Sequence, residues 1–504
     1  MRATPVGLRA ELLRTIEDLA AFGEKRVGTE GGERAAAYLA ARLEALGLSD
    51  VHTEPFAFPR HQVTEASLRF DLDGGAHAPA FAVLEASAGG DIDAEVVHVE
   101  WATDEQLRDK DLRGRVALVD RNSIYHRSTQ YDNVARAGAA AMILSSTAPA
   151  NLPQVGSVRS GWEAMGPIPA LTIGSNDGHA VRAALDAGRA VRAHLAVAAQ
   201  VDRGVGRNVI GSVPGDSDDT IVIGAHFDTW FAGATDNGGG VAAILALAAR
   251  RARRPSRYGL TFVGWDGEEI ALYGGYHFLR EHAPRALCVI DFETPSALGA
   301  LAYGLARSNH QPLHDAIDGV GLNELFALNV PMDLVPELFG GVIPTDVQGL
   351  YRAGTAAIAT AVDAPYYHTA ADTPDKVDLA RLEETVEAFD RALDRLLLAP
   401  ADRFRVRDPA LWRIDCDLRR DPPTIALDVR VLDGAGRPCD GAVVDATLFY
   451  DDFFERGQAR AASDRQGRAS LRLTEPERGG DGARRFVHIT AGARFPLAER
   501  VLRI

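Results

Sequence analysis

Apolar and polar positions along this chain change period from region to region, and each change predicts an element or a module. The start, MRATPVGLRAELLRTIEDLAAF, and the stretch GTEGGERAAAYLAARLEALGLSDV repeat apolar residues at helical spacing with Glu and Arg between them, as amphipathic helices do. From about residue 61 to 195 the texture turns to short strands with interruptions: GRVALVDRN, a helix-like DNVARAGAAAMILSS, then IPALTIGSNDGHAVRAAL. From NVIGSVPG to RALDRLLLAP short apolar runs alternate with helical stretches, the pattern of a mostly parallel sheet covered by helices. After Pro400 the period falls to two, in PTIALDVRVLDGAGRPCDGAVVDATLFYDD and GQARAASDRQGRASLRLTEP, which predicts a small antiparallel sandwich of immunoglobulin-like type. The expected organisation is α/β: a core in two parts, 1–60 and 196–400, an insert at 61–195, and an accessory β-sandwich at 401–504.

Within the core, acidic residues and histidines collect where apolar runs stop. TIVIGAHFDTWFAGATDNGGGVAAILALAARRA reads as a strand ending at His226, a Gly-rich loop and a helix. Residues two apart on a strand share a face, so His226 and Asp228 are expected to point together from its carboxyl end, where open α/β sheets place their sites. Asp228 is then positioned to orient the histidine, since a metal-bound imidazole gives its other ring proton to an oxygen. GLTFVGWDGEEIALYGGYHFLREH brings Glu268 and Glu269 to the end of a second strand. Two bare carboxylates so close repel strongly, so different roles are expected of them: Glu269 binds metal and Glu268 moves protons. ALCVIDFET offers Asp291 and Glu293 on one face, and APYYHTAADTPDKVD places His368 in a loop before the last helix of the region. Asp236, Glu269 and Glu293 carry three negative charges, which suit two divalent ions better than one. Histidine nitrogen with carboxylate oxygen suits zinc, with cobalt or manganese as substitutes.

Taken one at a time these residues are ordinary: a lone histidine at a strand end is usually a satisfied polar group, and a Glu-Glu pair is usually a solvated helix start. Four segments agreeing in residue type and context are specific. Together GAHFDTW with GATDNGGG, WDGEE, VIDFE and YYHTAADT resemble the co-catalytic zinc aminopeptidase family, whose relatives include glutamate carboxypeptidase II, the plasma glutamate carboxypeptidases and the glutaminyl cyclases. The resemblance implies a zinc-exopeptidase core with two zinc ions. Asp236 would bridge both, His226 and Glu293 would complete one, and Glu269 and His368 the other. Glu268 would be the general base and acid, Tyr367 would steady the oxyanion, and the Asp236–Asn237 peptide would be cis. Most family members read V-I-N-x-D where this chain has Val289, Ile290, Asp291, Phe292 and Glu293, so Glu293 is the preferred ligand and Asp291 the runner-up. The insert resembles a protease-associated domain.

The function expected is a zinc-dependent exopeptidase, first an aminopeptidase hydrolysing the N-terminal bond of a peptide substrate. A carboxypeptidase or dipeptidase on the same site is the alternative; a metal-free binding protein and a glutaminyl cyclase-like acyltransferase rank behind. Trp230 and Phe231 are expected to shield the metal loop, and Tyr303, Arg307 and Asn309 are specificity candidates only through their position after the third ligand strand. The run Arg250, Arg251, Arg253, Arg254 reads as a solvated helix end.

Composition narrows the classes. With 504 residues and 46% hydrophobic content the chain can bury several cores. A formal charge of −16 argues against nucleic acid and anionic membrane surfaces as partners. Cys288, Cys416 and Cys439 are too few and too far apart for a disulfide framework. The charged start lacks the apolar stretch of a signal peptide, and no run is long enough to span a bilayer, so the expected location is the cytoplasm.

Overall fold

The computed structural model describes residues 7–72, 75–122, 126–158, 165–332, 335, 343–406, 412–450, 455–475, 485–492 and 496–504. One sheet runs through the core and the insert. Its core half is ordered Leu328–Pro331, Tyr303–Arg307, Ala356–Val362, Ala286–Asp291, Ser217–His226, Tyr258–Trp265, Arg192–Val213. The three strands that lead to the acidic loops, Ala286–Asp291, Ser217–His226 and Tyr258–Trp265, pair in parallel, so their carboxyl ends share one edge.

Behind that edge lies the helix Gly239–Arg251, whose residues from Gly239 to Ala248 are all buried. A helix apolar on every side must be enclosed, and this one is. The entry helix Leu8–Ala20 buries Leu12, Ile16 and Leu19, and the helix Leu379–Leu396 buries Leu382, Val386, Phe389 and Leu393 in the same core. The helix Glu30–Leu46 starts with Thr29, whose side chain accepts from Gly32 N, and stops at Gly47 in the left-handed region, the two end signals such a sequence needs.

The insert is reached by a two-stranded ribbon. Ser49–Leu72 and Arg192–Val213 pair antiparallel from Ser49↔Ser212 to Asp71↔Arg192, so residues 61 and 195 fall inside strands and no turn marks either boundary. The sheet continues into the insert through Gly90–His98, Val116–Asp120, Ala141–Ser145 and Ala170–Ile173, with helices Arg127–Arg136 and Ser175–Asp186. The tail forms two antiparallel sheets, of three and four strands, that close on Leu427, Val429, Val431, Val444, Leu448, Val487 and Ile489. The three cysteines are free, and Cys288 is packed inside its strand. Among the described residues no helix is long and apolar enough to cross a membrane.

Candidate metal centre

His226 ends its strand, and the chain turns into the loop that carries Asp236. His226 Nδ1 lies 2.9 Å from the Asp228 carbonyl oxygen and 3.7 Å from the Asp228 carboxylate. Asp228 therefore fixes the ring through its main chain, while its carboxylate is engaged elsewhere, Oδ1 accepting from Glu268 N at 3.1 Å and Oδ2 from Glu269 N at 3.3 Å. Those amides open the short helical turn Glu268–Ala271, reached through Gly267 at φ 78. The glutamate pair thus sits one turn past the strand end, and the first N–H groups of that turn, which no helical carbonyl can satisfy, are capped by Asp228.

Asp236 is held from the opposite side. Both oxygens of Asp372 are used: Oδ1 accepts from Thr235 N at 2.9 Å and Thr235 Oγ1 at 2.7 Å, and Oδ2 from Asp236 N at 3.1 Å. Asn237, joined to Asp236 by a cis peptide, donates to Phe292 O at 2.7 Å and accepts from Thr294 N at 3.2 Å and Gly240 N at 3.1 Å. A Cβ on Gly240 would lie 2.3 Å from Asn237 Oδ1, so this close approach requires glycine. Asp372 and Lys25 were not singled out by sequence reasoning, and Asn237 only for its cis peptide with Asp236, not for its side chain. Asp372 lies in the same YYHTAADT segment as His368, and Asn237 directly follows Asp236. The Lys25 ammonium, 1% exposed, donates to Ala232 O at 2.7 Å and Gly23 O at 3.2 Å. Burial lowers its pKa to about 8 against the pull of Asp372, Asp228, Glu24 and Glu269.

These supports bring five side chains together in two groups that share one carboxylate. Asp236 Oδ1 is 3.2 Å from His226 Nε2, which is 3.3 Å from Glu293 Oε2. Asp236 Oδ2 is 3.1 Å from His368 Nε2, which is 2.8 Å from Glu269 Oε2. His226 Nε2, His368 Nε2, Asp236 Oδ1, Glu269 Oε1 and Glu293 Oε2 are buried and lack any aligned hydrogen bond. Such orphaned atoms are costly, and their convergence fits cations. Ligands about 2.0–2.1 Å from a tetrahedral ion stand about 3.3 Å apart, close to the spacings found. Asp291 forms no ion pair with either histidine among the described residues; its two oxygens are buried and likewise lack an aligned hydrogen bond.

The electrostatics are those of crowded acids. Burial raises Glu269 to about 7 and, with Glu293, Glu269 and Asp346 nearby, lifts Glu268 well above the carboxylate range. Burial pushes His226 down, but Glu293, Glu268, Asp228 and Asp236 outweigh it and hold the imidazole well above its ordinary value. Burial likewise opposes the charge on Asp236, and the two histidines beside it reverse the direction and lower it.

Tyr367 stacks flat on His368, with ring centroids 3.6 Å apart, and among the described residues its hydroxyl has no partner. Burial raises that hydroxyl's pKa, so it remains a donor. Trp230 is buried with its ring 6.3 Å from that of His368 and the Arg26 guanidinium 5.3 Å from its own centre. Tyr303 spends its hydroxyl on Ala297 O at 2.6 Å. Arg251, expected in solvent, is 2% exposed and pairs with Asp390 and Asp394 at 2.5 Å, because the helix end is covered by Leu379–Leu396.

Residues 208–392 match the profile of Peptidase family M28, and residues 80–181 match the PA domain. The Probable leucine aminopeptidase 2 of Aspergillus fumigatus is 26% identical over 270 residues, 52% of either chain. A Glutamate carboxypeptidase 2 homolog of Caenorhabditis briggsae is 36% identical over 84 residues, 15% of this chain and 11% of its own. The chain spans about half the length of the first of these. In fold it is similar to a Peptidase M28 precursor from Shewanella amazonensis, at TM-score 0.64 and 22% identity over 77% of this chain and 95% of the other. It is also similar to the zinc aminopeptidase BSAP of Bacillus subtilis, at TM-score 0.60 and 20% identity over 78% and 97%. Residues 208–392 are a Peptidase family M28 domain, and a PA domain is set into the chain ahead of them.

Proposed function

We propose that this chain is a zinc-dependent exopeptidase, an aminopeptidase that hydrolyses the N-terminal bond of peptides. One observation carries the reading: the single carboxylate Asp236 turns one oxygen to His226 and the other to His368, so the site divides into two halves. His226 with Glu293 would hold one zinc ion, His368 with Glu269 a second, and Asp236 both. Bound zinc supplies Lewis acidity, polarising the scissile carbonyl and lowering the pKa of water.

The chain's own residues do the rest. Glu268, part-exposed beside the cluster with its main chain fixed by Asp228, takes the proton of the attacking water and delivers it to the departing amine. Its raised pKa suits a group that must hold that proton between the two transfers. Tyr367 offers its hydroxyl to the carbonyl oxygen as charge develops there. Asp228 and Asp372 act through others, fixing the main chain beneath Glu268, Glu269 and Asp236.

Metal analysis of protein purified without chelator, together with a panel of free and N-blocked dipeptides, tests the proposal. Two zinc ions per chain and cleavage of free-amine substrates alone are expected. A chain that binds no zinc would sink it. The 84-residue likeness to a glutamate carboxypeptidase 2 homolog supports a carboxypeptidase or dipeptidase as the second reading, and cleavage of N-blocked dipeptides would select it.

A further inference from the structure

The two halves of the centre are supported by different parts of the chain. On the His226–Glu293 half every partner among the described residues comes from the core: the Asp228 carbonyl faces His226 Nδ1, Thr294 Oγ1 donates to Glu293 Oε1 at 3.3 Å, and Thr360 Oγ1 donates to Glu293 O at 2.9 Å. On the Glu269–His368 half the core contributes Asp228, whose Oδ2 accepts from Glu269 N, and one loop of the inserted domain supplies the contacts around His368. The Val155 carbonyl faces His368 Nδ1 at 3.0 Å, and Val155 N donates to His368 O, also at 3.0 Å. Gln154 Nε2 donates to Tyr367 O at 3.1 Å, and Ser157 Oγ donates at 3.2 Å to the carbonyl of Ile270, the residue after Glu269.

That loop is itself rigidly held within the insert. Gln154 Oε1 accepts from Ser146 Oγ at 3.0 Å and Thr147 N at 3.2 Å. The Gly156 carbonyl accepts from Glu85 N, and the Ser157 carbonyl from Arg127 Nε at 2.8 Å. Gln154 and Ser157 are 4% and 5% exposed. A buried loop with its main chain already satisfied moves with its domain rather than independently of it. The oxygen that fixes the tautomer and orientation of a ligating histidine normally governs how well it binds, and here that oxygen belongs to the insert.

We propose that residues 154–157 of the PA domain are a positioning element of the metal centre, setting how tightly the Glu269–His368 half holds its ion while the His226–Glu293 half is left to the core. The inference rests on the two-ion reading above. It makes the insert part of the metal site, and by linkage zinc must tighten the docking of this loop by the same factor as the loop tightens zinc.

The test is zinc retention against a competing chelator in the full chain. Replacing Gln154 with Met keeps length and removes both sets of hydrogen bonds; Gln154→Met should weaken one of the two ions by about 10- to 100-fold, the range for lost outer partners of a ligand, and leave the other unchanged. Arg113→Ala, on an exposed face of the insert, should retain both ions. Amide exchange in wild-type protein is independent of any variant's folding: zinc should slow exchange across 152–158; His368→Ala, as a separate control, should remove that slowing. Equal retention of both ions in Gln154→Met, equal loss of both, loss matched by Arg113→Ala, or exchange indifferent to zinc would each overturn the inference alone. Wild-type protein that takes up no zinc would overturn the two-ion reading with it.

Discussion

Stripping the metal should leave a protein that weakens as pH rises, the reverse of ordinary acid denaturation. Glu269 goes from 4.5 to about 7 on folding and Asp372 from 3.8 to about 6, both chiefly through burial. Between the lower and the higher value the folded chain keeps a proton that the unfolded chain has released, so stability falls with pH. From pH 4.5 upward this acts over about 2.5 pH units for Glu269 and about 1.5 for Asp372. At about 1.4 kcal/mol per unit the loss is on the order of 5 kcal/mol. His226 and His368, both raised, act in the same direction above their unfolded values, while lowered Asp236 acts only below pH 3.8. Bound zinc would take the place of the protons on Glu269, His226 and His368 and remove their share of the slope, leaving that of Asp372. Denaturant unfolding of chelator-treated and zinc-loaded protein at intervals from pH 4.5 to 8 measures both lines. A chelator-treated protein whose stability stays level or climbs over that range would refute the argument that crowding of buried acids is relieved by cations.

Three substitutions probe separate parts of the same centre. Glu268→Gln should lower kcat by about 10²- to 10⁴-fold, the usual worth of a general acid–base, with zinc content unchanged by metal analysis; near-normal turnover would remove Glu268 from the mechanism. Asp372→Ala strands Thr235 N, Thr235 Oγ1 and Asp236 N, so a urea melt should register a loss on the order of 3 kcal/mol, at about 1–3 kcal/mol per buried orphan; a loss under about 1 kcal/mol would mean that water replaces the carboxylate. Gly240→Ala sets a methyl 2.3 Å from Asn237 Oδ1 and 2.4 Å from Phe292 O, and should cost about 1–3 kcal/mol as overpacking does, read by the same melt.

The candidate ligands were legible in the sequence because metal chemistry restricts such residues to a few types, and the structure brings all five together. His226, Asp236, Glu269, Glu293 and His368 come from four distant segments, yet each is a titratable side chain at the end of an apolar run or in a loop beside a predicted helix. What supports them was not legible. Asp372 meets Thr235 across 137 residues and Val155 meets His368 across 213, and the second pairing uses a main chain that any residue would supply. The glutamate pair, expected at the strand end, lies on a helical turn just past it, since the Asp266–Gly267 bend that shifts it is a local matter of backbone conformation. The long strand Ser49–Leu72 was hidden by Pro55 and Pro59, which argue against a central strand. Among the described residues the stretch around these prolines pairs only with Arg192–Val213, so each proline lies on a sheet border, where proline is tolerated.

That ribbon has a topological consequence. Asp71 and Arg192 face each other where its two strands end, so the PA domain occupies the position of a hairpin turn. Excision of the intervening stretch, with a tight turn in its place, leaves every ladder pair between Ser49 and Asp71 in register. Gain or loss of the whole domain at this point would therefore leave the pairing of the two ribbon strands unbroken.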